Sequence, residues 1–456
     1  MNIFIRSKTF LSICGLLTLS VTTTQAQFTF SGQLRTRSEY RNGQGTLLKE
    51  GDKAAFFTSQ RTRISAAYSG YRIKAFATVQ DVRVWGQDAS TINRTTNADL
   101  NGLLLHEAWG EFSLLDTAQT KLGKELALKV GRQELVYDDV RLLGNLDWLQ
   151  QGRRHDMALL KWANQGWMLH AGTAYNQNRE QKSGTVYNGV PTTYSAGTNG
   201  IGAEYKSLQF LYLGRKFYAG NMSLLAIKDD FSQFTTTPAS GTTAATTTYT
   251  DGVWSRITLG GYVNATFKKL GVKAEAYYQG GRYRDGRDLS ASLLSVALSY
   301  ATSRRTTLLA GIDRTSGNDP GNTTGTSHRF DPLYGTPHKH WGYMDYFYVA
   351  DGFGTGGLND LYVKLRYKPL DRLLLTVDAH QFNSTNPVVA ADKTLMDKPS
   401  FGQEYDVVGQ YTLTKQIGLE AGYSVFSATD ALAAVKAVAT PKKTATWAYL
   451  MLNLRF

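Results

Sequence analysis

Trp447-Ala448-Tyr449-Leu450-Met451-Leu452-Asn453-Leu454-Arg455-Phe456 ends the chain on a strict alternation. Counting back in twos from Phe456 gives Leu454, Leu452, Leu450 and Ala448, all apolar. The intervening set, Arg455, Asn453, Met451, Tyr449 and Trp447, is polar at one end and aromatic at the other. A period of two puts the sets on opposite faces of a β-strand. A last strand that is greasy on one face and ends on an aromatic residue suits the closing strand of an outer-membrane barrel. An edge strand of a soluble sandwich would alternate in the same way, so the rest of the chain decides.

The bulk composition leans the same way. Charged residues make up only 19% of the 456, whereas Gly (44), Tyr (26) and Phe (20) are frequent. Few charges with many aromatics and glycines suit two-sided strands better than a helical enzyme. Arg6 and Lys8, an apolar run from Phe10 to Val21, and Thr24-Gln25-Ala26 before Gln27 read as an export leader with its cleavage site. The bulky Ile13 before Cys14, with too short an apolar run ahead of it, argues against a lipid anchor. Cleavage removes this cysteine, the only one, so the exported chain needs no disulfide. Lys plus Arg then fall from 50 to 48 against 37 Asp plus Glu, a net charge of +11. That excess suits anionic partners, and export makes nucleic acid the poorest of them. No later apolar run approaches the roughly 20 residues of a membrane helix. A membrane-spanning mature chain must therefore be a closed barrel.

Alternating segments recur from 28–40 to 444–456, about 18 in all, an even number in the range of single-chain barrels. Short turns such as Ser69-Gly70, Ala163-Asn-Gln-Gly166 and Pro369-Leu-Asp371 take turns with long loops near 41–54, 85–103, 138–153, 178–199, 231–251, 316–357, 385–401 and 428–443. With both termini periplasmic, every long loop falls on the outer side. Asp116–Glu125 is an unusually long inner turn, and 283–288 a short outer loop. Thr235 to Thr250 reads as a mobile low-complexity loop, and Ala428 to Ala439 could hold a helical turn. The expected fold is all-β: a single transmembrane antiparallel barrel of about 18 strands with long extracellular loops. Residues 1–26 form the leader and 27–456 the barrel.

In that frame the polar strand faces line a wet lumen. Arg35, Arg37, Arg61, Arg63, Arg72, Lys74, Lys273, Lys364 and Arg366 fall on those faces, with carboxylates such as Glu111, Glu275, Asp360, Asp378, Glu404 and Asp406 among them. Arg35, Arg37, Arg61 and Arg63 lie on neighbouring strands and should form one wall of guanidiniums. Such a wall could pass successive carboxylates or phosphates, or it could brace the barrel through ion pairs.

Two further stretches are informative: Gly131-Arg-Gln-Glu-Leu135 continuing to Arg141-Leu-Leu-Gly-Asn-Leu-Asp-Trp148, Gln150-Gln-Gly-Arg153 and Asp156; and Phe330-Asp-Pro-Leu-Tyr-Gly335, His338-Lys339 and Gly342-Tyr-Met-Asp-Tyr-Phe347. In wording and spacing they resemble the bacterial alginate export family of outer-membrane barrels. His155 stands where that family usually has an aromatic residue. The resemblance implies an 18-stranded barrel whose electropositive pore passes a polyuronate. It also implies lumen or constriction roles for Arg132, Glu134, Arg153 and Asp156. Arg132 shares the parity of Leu128 and Val130, so a lumenal role needs a bulge; a place above the lipid belt is the other option. Asp81 and Arg83 pose the same problem. The aromatic-rich loop 316–357 is the candidate plug.

The histidines are scattered, His338-x-His340 in a loop being the nearest approach to ligand spacing, and no GxSxG, HExxH or phosphate-binding glycine loop occurs. Asp313, Asp319 and Asp331 lack EF-hand spacing for calcium. No cofactor is expected. The leading reading is a channel for anionic polysaccharide or oligosaccharide in outer-membrane lipid, with periplasmic export components as a candidate further partner. The alternatives are a general porin for small anions, or an adhesin or enzyme acting through the outer loops.

Overall fold

A computed structural model describes residues 27–86, 103–116, 123–177, 180, 182–184, 205–240, 244–322, 324–347, 356–390 and 393–456. The leader lies outside them, as do most of 85–103 and 178–199 and part of the inner turn 116–125.

The strands are β1 (Gln27–Asn42), β2 (Ala55–Gly70), β3 (Ile73–Val84), β4 (Leu104–Ser113), β5 (Glu125–Gln133), β6 (His155–Asn164), β7 (Trp167–Tyr175), β8 (Ser207–Phe217), β9 (Gly220–Thr237) and β10 (Thr246–Phe267). They continue with β11 (Leu270–Arg282), β12 (Asp288–Ala301), β13 (Thr306–Thr315), β14 (Asn359–Leu370), β15 (Leu373–Asn383), the two-residue strands β16 (Val388–Val389) and β17 (Leu395–Met396), then β18 (Ser400–Thr412), β19 (Ile417–Ala428) and β20 (Thr444–Arg455). All but β16 and β17 join one 18-stranded sheet. Successive strands pair antiparallel, and β20 returns to β1 in a register running from Gln33 opposite Arg455 to Asn42 opposite Thr446. The terminal strand thus closes the barrel. Phe456 completes the seam, its backbone exchanging hydrogen bonds with Gly32 at 2.7 and 3.1 Å.

Alternation decides which way each side chain points. Leu450, Ile64, Val363, Val407 and Leu294 are exposed on the outer wall, where hydrocarbon would surround them. Arg35, Arg61, Glu275, Asp378 and Glu404 are buried on the inner wall. Tight turns set the register on the inner side. Gln165 (φ 48°) and Gly166 (φ 86°) both occupy the left-handed region, the signature of a type I′ hairpin, and they join Asn164 directly to Trp167.

One local expectation changes and another holds. The Thr-rich stretch is partly strand, with Thr235 to Thr237 pairing with Thr246 to Thr248. A helix, α1 (Asp430–Val435), does form in the last loop, and the Thr429 side chain caps it by accepting from Leu432 N at 3.3 Å.

The lumen is not uniformly wet. Met157, Leu159, Leu208, Phe210, Tyr212, Leu225 and Ile227, on the inner faces of β6, β8 and β9, join one buried apolar cluster. Leu135, Leu142 and Leu143 belong to it, and so do Phe330, Leu333, Tyr334 and Trp341. These come from the two motif-bearing loops, 134–154 and 316–347. Both fold into the barrel, the second from Phe330 onward, and bury their apolar residues against its wall.

Candidate functional site

The two inward loops are tied to each other. Gly144 N donates to Tyr334 O at 2.9 Å, Tyr334 N to Leu142 O at 3.0 Å and Thr336 N to Val140 O at 2.8 Å. Leu146 N donates to Thr336 Oγ1 at 3.1 Å, and Trp148 stacks on His338 with centroids 4.1 Å apart. Asp138, Val140, Leu146, Leu333 and Asp345 take positive φ here. Such backbone costs of order 1–3 kcal/mol per residue and persists where the surroundings over-determine it.

Loop 134–154 is a strut between two walls of opposite charge. At one end Asp147 meets the arginines of β1 and β2. Its carboxylate lies 2.8 Å from Arg61 Nη2, 3.4 Å from Arg35 Nη1 and 3.7 Å from Arg63 Nη1. Arg35 also donates to Asp147 O at 2.8 Å, to Leu149 O at 3.0 Å and to Gln150 Oε1 at 3.0 Å. Arg37 donates to Trp148 O at 2.8 Å and lies over that indole at 4.3 Å. Burial alone would raise the Asp147 carboxyl, but Arg61, Arg35 and Arg63 together hold it below the usual carboxylate range.

At the other end Arg141 is buried against the inner faces of β11, β12 and β13. It is paired with Glu275, donates to Asp313 Oδ2 at 2.7 Å and to Ser295 Oγ at 3.1 Å, and lies 5.1 Å from the Trp341 ring. Beside it, Asp139 accepts from Lys273 Nζ at 3.0 Å. Burial opposes ionisation of Asp139, yet the Arg141 and Lys273 cations hold its carboxyl far below its ordinary value. His340 is itself fully buried and held neutral, by burial first and Arg141 second.

Loop 316–347 is anchored as firmly. Asp331 pairs with Arg256 at 2.8 Å, Tyr334 Oη donates to Asp229 at 2.7 Å, and Met344 N donates to Glu404 at 2.8 Å. His338 Nδ1 lies 2.8 Å from Asp345, so it is a hydrogen-bonded packing residue. Among the described residues no three potential ligands come together to hold a metal ion. Asp313 and Asp331 serve arginines, and Asp319 accepts from Gly321 N at 2.8 Å.

The expected site residues fall into separate groups. Arg35, Arg37, Arg61 and Arg63 do form one wall, Arg35 lying directly opposite Arg61, but the strut occupies it. Glu134 and Arg153 are inward and brace the strut. Glu134 accepts from Asn145 at 2.7 Å and lies 2.8 Å from His106 Nε2 and 3.6 Å from Arg63; Arg153 Nη1 donates to Gly335 O at 2.5 Å. Lys74 pairs with Glu111 at 3.1 Å and Lys364 with Asp378 at 2.6 Å. Arg366 stands on the inner face, exposed and without an ion pair among the described residues.

Arg132 and Asp156 are not in the lumen. They sit opposite each other on the outer faces of β5 and β6, bridged by two hydrogen bonds of 2.7 and 2.8 Å. The parity of Leu128 and Val130 is kept, so the alternative of a lumenal bulge fails. Asp81 and Arg83 form the same kind of outer-face pair at 2.6 Å. His155 points inward, 2.6 Å from the Tyr205 hydroxyl and parallel to its ring, so it fills an aromatic's place.

Sequence reasoning quoted Arg141 and Asp147 only as part of a motif and passed over Asp139, and it gave none of the three a role. The signal was there: Leu142, Leu143 and Leu146 are too apolar for a loop left in water.

Solved structures of similar architecture are outer-membrane porins. Pseudomonas aeruginosa OpdO shares 14% identity, with 94% of this chain and 97% of that one covered at a TM-score of 0.58. P. aeruginosa OccK9 (OpdG) shares 15%, covering 94% and 98%, at 0.57. A BenF-like porin from Pseudomonas fluorescens Pf-5 shares 11%, covering 94% and 98%, at 0.56. At these identities the likeness speaks for the fold. No curated protein sequence matches the chain. The alginate export family model, however, matches residues 26–445. An 18-stranded closed barrel that carries that family's pattern over nearly its whole length is an outer-membrane channel protein, and the chain belongs to the alginate export family.

Proposed function

We propose that the barrel passes an anionic, uronate-bearing polysaccharide or oligosaccharide, exported as residues 27–456 after loss of the leader. The observation that carries this reading is the seat of Asp147. Three guanidiniums hold a carboxylate that is itself 46% exposed, so the arginine wall already binds, at the edge of water, the group a uronate would present.

On this reading Arg35, Arg61 and Arg63 bind cargo carboxylates in turn. Arg37 and Trp148 give one face of the passage, and Lys74, Lys364 and the unpaired Arg366 continue the basic path. Glu134 and Arg153 act through the strut, while Arg132 and Asp156 play no part in the lumen. Buried pairs such as Arg141 with Asp313 fix the strut and leave the exposed cations to the cargo. The chain's work is electrostatic passage, and catalysis is not part of the proposal. A second reading, a porin for small anions, is favoured by the amount of lumen the two loops take up.

Reversal potential across a planar bilayer under a salt gradient, followed by added oligouronates, tests both readings. Anion preference with oligouronate block supports the polyuronate path. Anion preference without block supports the small-anion porin. Cation preference overturns both.

A further inference from the structure

A groove of about 850 Å³ lies on the barrel's outer wall, away from the lumen, beneath an overhanging loop. Leu259, Tyr278 and Leu294, each about half exposed, line its floor on the outer faces of β10, β11 and β12. Ser316, Asn322 and His328 roof it. The Ser316 hydroxyl donates to His328 O and accepts from Ser292 N, each at 2.7 Å, and His328 Nδ1 lies 2.7 Å from Ser290 O, which leaves the Asn322 amide and His328 Nε2 for a ligand. The floor is greasy and the roof polar, so the groove straddles the boundary between hydrocarbon and headgroups.

Arg314 stands at that boundary. Its strand runs outward through Leu308 and Ile312 on the lipid-facing side, and Arg314 is the next residue of that parity, level with Leu294. Its side chain is exposed and makes no hydrogen bond or ion pair among the described residues. Arg83 and Arg132, also on the outer face, have aspartate partners, and Arg215 donates to Gln165 O and lies over the Trp167 ring. Arg282, which continues the outer parity of Tyr278 above the groove, pairs with Asp288 at 3.2 Å. Asp319 lines the roof, but its carboxylate is turned to Gly321 N. An unpaired guanidinium at the edge of a lipid belt calls for an anion, and its planar fork suits a phosphate better than a point contact would.

The geometry points to a binding site for one phosphorylated glycolipid of the outer leaflet. Its phosphate sits on Arg314, its acyl chains lie against Leu259, Tyr278 and Leu294, and its sugar hydroxyls meet the Asn322 amide and His328 Nε2. Charge complementarity and the greasy floor together select this occupant over a soluble phosphate, which would leave the floor unused.

The test compares the whole barrel with Arg314→Gln and Arg314→Lys, each stripped of lipid and returned to neutral phospholipid vesicles. The vesicles carry either a bisphosphorylated glycolipid or the same lipid dephosphorylated, and retained glycolipid per chain is counted by native mass spectrometry. The wild type should retain the phosphorylated form and not the dephosphorylated one. Arg314→Gln should retain about tenfold less, as loss of a charge-assisted contact implies. Arg314→Lys should fall between them, with conductance the same in all three. Equal retention by Arg314→Gln, equal binding of the dephosphorylated lipid, or displacement by millimolar inorganic phosphate would overturn the site. If Arg314→Gln does not insert, the two lipids compared on the wild type decide alone.

Discussion

Asp147 Oδ1 lies 2.8 Å from Arg61 Nη2, so a loop carboxylate already sits on the basic wall of Arg35, Arg61 and Arg63. On the proposed reading, cargo and loop compete for the same guanidiniums. Replacing Asp147 with Asn keeps the shape and removes the charge. Oligouronate block in a planar bilayer should then strengthen severalfold, and stability should fall by roughly 1 kcal/mol, since the carboxylate is half exposed. Weaker block in Asp147→Asn would mean that the loop helps to bind cargo.

Acid should act on the same contact. The Asp147 carboxyl is depressed in the folded barrel, so its contribution is complete above the unfolded value of about 3.9 and is lost as pH falls through the lower folded value. Channel noise should thus stay flat from neutral pH down to about pH 4 and rise below it. In Asp147→Asn that rise should be missing.

The opposite end of the strut is buried and should cost more to break. Arg141→Met leaves Glu275 and Asp313 without their cation, which for a buried pair costs about 3–5 kcal/mol. A lower Tm with flickering conductance is expected. A quiet channel of unchanged Tm would show that the strut does not depend on this wall.

Arg132→Ala and Asp156→Ala give the contrasting outcome. Their pair is on the outer face and partly exposed, so each change should cost about 0–1 kcal/mol and leave conductance and selectivity unchanged. Altered selectivity in either variant would return them to the pore.

Replacing residues 330–346 with a short Gly-Ser linker removes much of the lumenal filling. Single-channel conductance should rise clearly. An unchanged value would mean that ions already pass beside the loop.

Much of the barrel could be read from the sequence because a strand with lipid on one side must alternate. Leu361, Val363 and Leu365 against Asp360, Lys364 and Arg366 leave little choice of register. The arginine wall followed from parity too, since Arg35, Arg37, Arg61 and Arg63 all face inward. What parity cannot convey is the path of a loop. Asp147 and Arg141 carry no period, and their partners lie on strands as distant in sequence as β2 and β13. The inner faces of β6, β8 and β9 were harder still: Leu208, Phe210, Leu225 and Ile227 are apolar where a water-filled lumen would be polar. They make sense only beside the loops that cover them. Motif resemblance alone placed Arg132 and Asp156 in the pore, and strand parity, which pointed outward, was the better guide.

The seam between β1 and β20 has a consequence for how the molecule comes into being. Gln33 Nε2 donates to Asn453 Oδ1 across 420 positions of sequence, so the first strand, already beside β2, cannot find its second neighbour until the last has been made. Until then both edges of the sheet carry unpaired backbone amides that hydrocarbon will not tolerate. Insertion and closure must therefore come near the end of biogenesis, as one late event. A nascent chain short of Leu452 and Leu454 would have an open edge, fit for pairing with other chains and unfit for the membrane.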